Sequence, residues 1–168
     1  LAETDFDFVV EKTGEVGIFV NGNYVTTAVR SPDAGLAAST YASQQSVRAC
    51  LISRQRFERQ APGLVADGRD MGTVVFPDAT LKVFLTATLK IRAQRRYKQL
   101  LEKGFSATLA GVENEVSARD QKDSTRAVSP LVPANDAVVL DTTEIGIDQE
   151  DKKVDDLLAA RLAQGCNG

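Results

Sequence analysis

Histidine and tryptophan are both absent from the 168 residues, methionine occurs once, and cysteine only twice, as Cys50 and Cys166. The want of imidazole excludes Ser-His-Asp acyl transfer and the His-built zinc hydrolases. Two isolated cysteines make neither a disulfide framework nor a paired metal motif, which points to a reducing compartment. No run approaches the ~18 consecutive apolar residues of a membrane span. The opening Leu1-Ala2-Glu3-Thr4-Asp5 has neither the basic flank nor the apolar stretch of a secretory signal. The expectation is a soluble cytoplasmic protein with no membrane partner.

What is present suffices for a packed core, since 43% of the residues are hydrophobic in a chain of single-domain length. The net charge of -3 hides an asymmetry. From Arg48 to Lys103 there are 12 Lys and Arg against 5 Asp and Glu, a local +7 that the rest of the chain offsets with -10. Solvated helix faces would account for this, and so would a seat for a polyanion. With an acidic balance overall and 6% aromatic residues, a nucleic-acid polymer is excluded as partner and a small phosphate-bearing ligand suits the balance better.

The hydrophobic patterning predicts an α/β architecture with an antiparallel unit at its start. Phe6, Val9 and Val10, then Ile18-Phe19-Val20 and Tyr24-Val25-Thr26, read as strands, and Asn21-Gly22 between the last two is a strong hairpin signal because both turn positions need positive φ. From Ala34 to about Gln60 the pattern is helical, with a second helix from near Ser46 that aligns Val47, Cys50 and Leu51, and Pro62-Gly63 stops it. Leu64-Val65-Ala66, Leu81 to Leu85, and Ala137 to Leu140 are short apolar runs expected to form a buried parallel sheet. Between them Thr88 is a candidate N-cap for a helix whose stripe is Leu89, Ala93, Tyr97, Leu100 and Leu101, ended by Gly104. Leu109, Val112 and Val116 mark another helix, and the last, from about Gln149 to Ala163, is expected to bury Val154, Leu157, Leu158 and Leu162.

Three clusters can carry chemistry. Asp67-Gly68-Arg69-Asp70-Met71-Gly72 follows the Leu64-Val65-Ala66 run, where ligands settle in open α/β sheets, although Asp-Gly is also ordinary turn chemistry. In Arg119 to Arg126, a helix would set positions 119, 123 and 126 at about 0°, 40° and -20° around its axis, so that two arginines and an aspartate share a face. That face is either a surface ion-pair ladder or a clamp in which Arg grips phosphate oxygens bidentately. Arg92, Arg95 and Arg96 crowd like charges at i, i+3 and i+4, on a solvated face or beneath an anion. Arg48 falls in the first turn of its helix, where the macrodipole disfavours cations.

The stretch from Gly63 to Ala79, including Ala66-Asp67-Gly68-Arg69-Asp70-Met71-Gly72-Thr73-Val74-Val75-Phe76-Pro77, closely resembles the bacterial cytidylate (CMP) kinases of the long type. So do Arg92-Ala93-Gln94-Arg95-Arg96, Glu102 to Ser106, Arg119 to Leu131 and Ala137 to Thr142, which extends the resemblance over nearly the whole chain. The resemblance implies the P-loop nucleoside monophosphate kinase fold, a parallel sheet with flanking helices. Residues 1–60 would then be the acceptor-binding region, with the antiparallel strands as its insert, and 61–168 the core sheet and lid helices.

It also implies phosphoryl transfer from ATP, with Mg²⁺, to CMP or dCMP in a monomeric enzyme. By the same resemblance Asp70, Arg48 and Ser39 read the cytosine, Arg69 and Arg126 hold the acceptor phosphate, and Arg119 and Asp123 meet the sugar and its phosphate. Asp67 steadies Mg²⁺ through water. Arg69, Arg126 and Asp67 are the expected catalytic residues, and Arg92, Arg95 and Arg96 the donor-phosphate arginines of the lid. The family's Gly-x-x-x-x-Gly-Lys loop, which cradles donor phosphates, occurs nowhere in these residues. The expectation is therefore a C-terminal portion, inactive by itself, with the loop upstream of Leu1. A CMP-binding fragment without catalysis, and a kinase for another small acceptor, are the alternatives.

Overall fold

A computed structural model describes residues 4–165, and Cys166 lies outside them. The chain divides into two units, Leu1–Gln60 and Ala61–Gly168.

In the first unit, strands β1 (Phe6–Val10), β2 (Val16–Val20) and β3 (Asn23–Tyr24) form an antiparallel sheet in sequence order. Phe6 pairs with Val20 and Val10 with Val16. Asn21 and Gly22 both take positive φ, 49° and 73°, as a two-residue hairpin turn requires. Strand β3 is shorter than its sequence suggests. Val25 N donates to Ile18 O at 2.9 Å and Thr26 Oγ1 accepts from Ile18 N at 2.7 Å, so Thr26 is buried against β2 and starts a short helix, α1 (Thr26–Val29), instead of extending the strand.

Helix α2 (Pro32–Tyr41) is capped by Ser31, whose hydroxyl accepts from Ala34 N at 3.2 Å. Helix α3 (Gln45–Phe57) half-buries Val47 and Leu51 and leaves Cys50 exposed.

The second unit is built on one parallel pair, β4 (Val83–Thr86) with β5 (Val138–Asp141), in the register Val83 to Val138 and Thr86 to Asp141. Helices α4 (Leu89–Glu102) and α5 (Leu109–Thr125) pack on each other. The core comprises Val75, Phe76, Ala87, Ala93, Leu100 and Val112. Gly104, at φ 79°, closes α4 as Gly104 N donates to Leu101 O and Phe105 N to Leu100 O. The last helix, α6 (Ile147–Gly165), half-buries Val154 and Leu157 but leaves Leu158 and Leu162 exposed, contrary to its apolar stripe.

Two further expectations change. Leu64-Val65-Ala66 forms no strand: no described residue pairs with it, and Val65 is 97% exposed. An apolar run becomes a strand only where a neighbour supplies ladder hydrogen bonds. For the same reason β4 and β5 are half-covered rather than sealed, with Leu85 and Val139 exposed. Between the run and β4 the chain makes a wide π-helical turn, Met71–Val75, in which Asp70 O accepts from both Val74 N and Val75 N, and Met71 O from Phe76 N. The turn buries Val75 and Phe76, and its bonds to Asp70 O tie it to the residue just before it.

Candidate active site

Helix α5 and the segment before the π-turn bring three arginines to one acid. Asp123 is 2% exposed. Its Oδ2 lies 2.6 Å from Arg69 Nε and 3.8 Å from Arg119 Nε, and its Oδ1 lies 3.8 Å from Arg126 Nη1. The Arg69 contact is an ion pair, and no donor among the described residues meets Oδ2 in hydrogen-bond geometry. Arg119 and Asp123 are one helical turn apart, as the sequence spacing requires. Arg126 has already left the helix as its C-cap, with ψ 141°, yet still reaches Asp123. The reach is held by the following loop: Arg126 Nε donates to Ser129 O at very short range, Ser129 adopts φ 50°, and Leu131 N donates to Asp123 O at 2.9 Å.

Three guanidinium groups gathered on one buried carboxylate leave an excess of positive charge that Asp120 only partly offsets. Burial lowers the Arg69 pKa, Arg119 lowers it further, and Asp123 and Asp120 only partly counter them. Arg126, whose side chain is 11% exposed, keeps Nη2 buried without a hydrogen-bond partner among the described residues. Unmet buried donors beside excess positive charge form a seat for an anion. Asp70, next to Arg69, is buried, whereas Asp67 is exposed on irregular chain instead of closing a strand.

The α4 arginines differ from one another. Arg92 pairs with Asp120 of α5 at 2.5 Å and donates through Nε to Ala87 O at 2.9 Å. Arg95 donates to Thr142 Oγ1, Thr142 O and Ile145 O, at 2.9, 2.6 and 3.1 Å. Arg96 is half-buried and has no ion partner among the described residues. In the first unit, Ser39 lies half-buried on α2. Arg48 on α3 donates through Nη1 to Ala42 O at 3.3 Å, so its charge serves the carbonyl end of α2. Sequence reasoning gave no role to Asp120 or Thr142. The partner of each lies on another element, and only the position of Asp120 beside Arg119 hinted at it.

Among the described residues no three His, Cys, Asp or Glu side chains converge to hold a metal. A single carboxylate such as Asp67 still suits Mg²⁺, which keeps most of its waters and is held largely by substrate phosphates.

An α/β unit that gathers arginines on a buried acid, with a second arginine-bearing helix ion-paired to the first, has the equipment of a phosphate-handling enzyme. The cytidylate kinase family model matches residues 2–159, and the chain belongs to that family. It is 48% identical over 161 residues to a cytidylate kinase of Pseudomonas entomophila, covering 95% of this chain and 71% of the relative. It is 49% identical over 163 residues to one of Dichelobacter nodosus, covering 96% and 72%. Membership implies the α/β P-loop nucleoside monophosphate kinase fold, with which the parallel pair and its helices accord, and a nucleotide-binding transferase of the kinase class. No described helix is long and apolar enough to cross a membrane.

Proposed function

We propose that this chain serves phosphoryl transfer from ATP to CMP or dCMP, yielding ADP with CDP or dCDP, in a monomeric cytoplasmic enzyme. The observation that carries the reading is the Arg69–Arg119–Arg126 cluster on Asp123, with its excess of positive charge and an Arg126 Nη2 unmet among the described residues. Family membership and relatives called cytidylate kinase support it.

In this reading Arg69 and Arg126 hold the acceptor phosphate, while Arg119 and Asp123 meet the sugar and the adjoining phosphate. Asp70, Arg48 and Ser39 select cytosine, a carboxylate accepting from the exocyclic amine while Ser and Arg address the ring nitrogen and carbonyl. The donor side falls to α4, where Arg96 has no ion partner among the described residues and Arg92 has one, Asp120, to give up. Phosphoryl transfer asks the protein for alignment and charge rather than covalent chemistry, so the lack of histidine is no obstacle. Mg²⁺, carried with ATP, neutralises charge on the phosphate oxygens, and Asp67 is its proposed partner through water. No Gly-x-x-x-x-Gly-Lys stretch occurs in these residues, so the part proposed for them is acceptor binding and lid closure.

Calorimetry with CMP and AMP tests the reading. CMP is expected to bind more tightly, and Asp70→Ala to weaken CMP by about tenfold with little effect on AMP, as for loss of a charged hydrogen bond. Equal losses for both nucleotides would remove the base-recognition role of Asp70. No CMP binding by the full-length protein would sink the reading itself.

A further inference from the structure

Arg95 lies between Arg92 and Arg96 but is spent differently from either. Its Nη1 donates to Thr142 Oγ1, and its Nη2 to Thr142 O and Ile145 O. Thr142, just past the end of β5, is 3% exposed. Its hydroxyl proton is committed to Thr86 O at 3.1 Å, at the end of β4, so Oγ1 can only accept from Arg95. Thr86 O also takes Thr142 N at 2.8 Å. The direction of donation is thus fixed along a chain from Arg95 through Thr142 to Thr86. Beside it, Thr88 N at the start of α4 donates to Thr143 Oγ1 at 3.0 Å, and Thr143 N to Asp141 Oδ1 at 2.8 Å. The fork of Arg95 is filled by one residue's hydroxyl and carbonyl, the geometry it would otherwise offer to two phosphate oxygens.

We propose that Arg95 and Thr142 form a brace that fixes the first turns of α4 on the ends of β4 and β5, so that Arg95 is a positioning residue that aids ATP use without touching ATP. The proposal rests on the kinase reading for its link to ATP, and on geometry alone for the brace. Arg92 and Arg96 ride on the same helix, three residues before Arg95 and one residue after it. Their guanidinium groups can be aimed at donor phosphates only if the helix holds its rotation, and the brace sets that rotation.

The test uses the full-length protein and the variants Arg95→Met, Arg95→Lys, Thr142→Val and Thr142→Ser. Arg95→Met is expected to raise the KM for ATP about tenfold, and Thr142→Val, which leaves the carbonyls of Thr142 and Ile145 to accept from Arg95, about threefold, while both leave the KM for CMP within about twofold. The double variant should lose no more than Arg95→Met alone, because without the guanidinium the Thr142 hydroxyl has nothing to accept from it. Thr142→Ser, which keeps the hydroxyl, should restore the wild-type KM. Arg95→Lys, which keeps the charge but not the fork, should resemble Arg95→Met.

Amide exchange at Arg92, whose N–H is bonded to Thr88 O, should quicken in Arg95→Met and Thr142→Val alike. A raised KM for ATP in Arg95→Met with Thr142→Val at wild type, or additive losses, would mean that Arg95 meets the donor directly and would overturn the brace. So would unchanged kinetics in both. If the full-length wild type moves no phosphate from ATP to CMP, the kinase reading falls. Exchange at Arg92 then decides the brace alone, and unchanged rates refute it. Should Thr142→Val not fold, Arg95→Lys separates the two, since a direct phosphate contact keeps most of its strength with lysine.

Discussion

Replacing Asp123 by asparagine keeps the shape of the side chain and removes the carboxylate that pairs with all three guanidinium groups. At an effective dielectric constant of ~20 a unit pair ~4 Å apart is worth about 4 kcal/mol, and breaking a buried pair costs about 3–5 kcal/mol. Arg69 and Arg119 keep 33% and 48% of their side-chain surface, so solvent screens part of this. The expected loss is about 2–3 kcal/mol at low salt, or a fall in Tm of about 4–12 °C. The assay is urea denaturation of wild type and Asp123→Asn, at low sodium chloride and at 1 M, where the screening length shrinks to ~3 Å. Salt should close only the part of the gap that comes from the half-exposed Arg69 and Arg119, because the buried Arg126 and Asp123 are screened much less. An asparagine variant as stable as wild type at low salt, or a gap that ignores salt, would refute the argument from charge.

Arg126→Ala removes a buried guanidinium that the loop already holds in place, and it is expected to raise the KM for CMP and lower kcat, together about 10- to 100-fold in kcat/KM. Wild-type kinetics in that variant would reduce the cluster to an ion-pair ladder. The Lys82 ammonium, 2.9 and 2.8 Å from the two Asp136 oxygens, holds the Asp136 pKa below the ordinary 3.8. A depressed carboxylate contributes stability above its unfolded value and loses it as the pH drops through the folded one. Asp136→Asn should therefore be less stable than wild type at pH 7, with the difference closing below the ordinary value of 3.8. A constant difference from pH 7 to pH 3, followed by urea denaturation, would show that Lys82 does not act through the charge of Asp136.

What could be read from sequence was what depends on near neighbours. The Asn21-Gly22 turn follows from two positive-φ positions, Gly104 ends α4 for a similar local reason, and the shared face of Arg119 and Asp123 follows from helical period. The β4–β5 pair was legible as apolar runs alternating with helices. The Leu64-Val65-Ala66 run was not, because its composition says nothing of a partner strand. The Met71–Val75 turn has no residue signature for its wider hydrogen bonds. Thr88 occupies the N-cap position of α4, yet its side chain caps nothing, while its N–H is met by Thr143, far along the chain. Arg92 with Asp120, and Arg95 with Thr142, join distant elements, so three arginines alike in sequence acquire three different employments.

Asp123 is fastened twice, by its carboxylate to the arginines and by its carbonyl to Leu131 N, while Arg126 is fastened forward to Ser129 O. Residues 126–131 thus work as a buckle whose tongue and frame belong to the charge cluster. An anion that draws Arg126 toward itself pulls on the same loop that Leu131 closes. Exchange at the Leu131 amide is therefore expected to change when an anion enters among the arginines, which would report occupancy without a labelled nucleotide or any turnover.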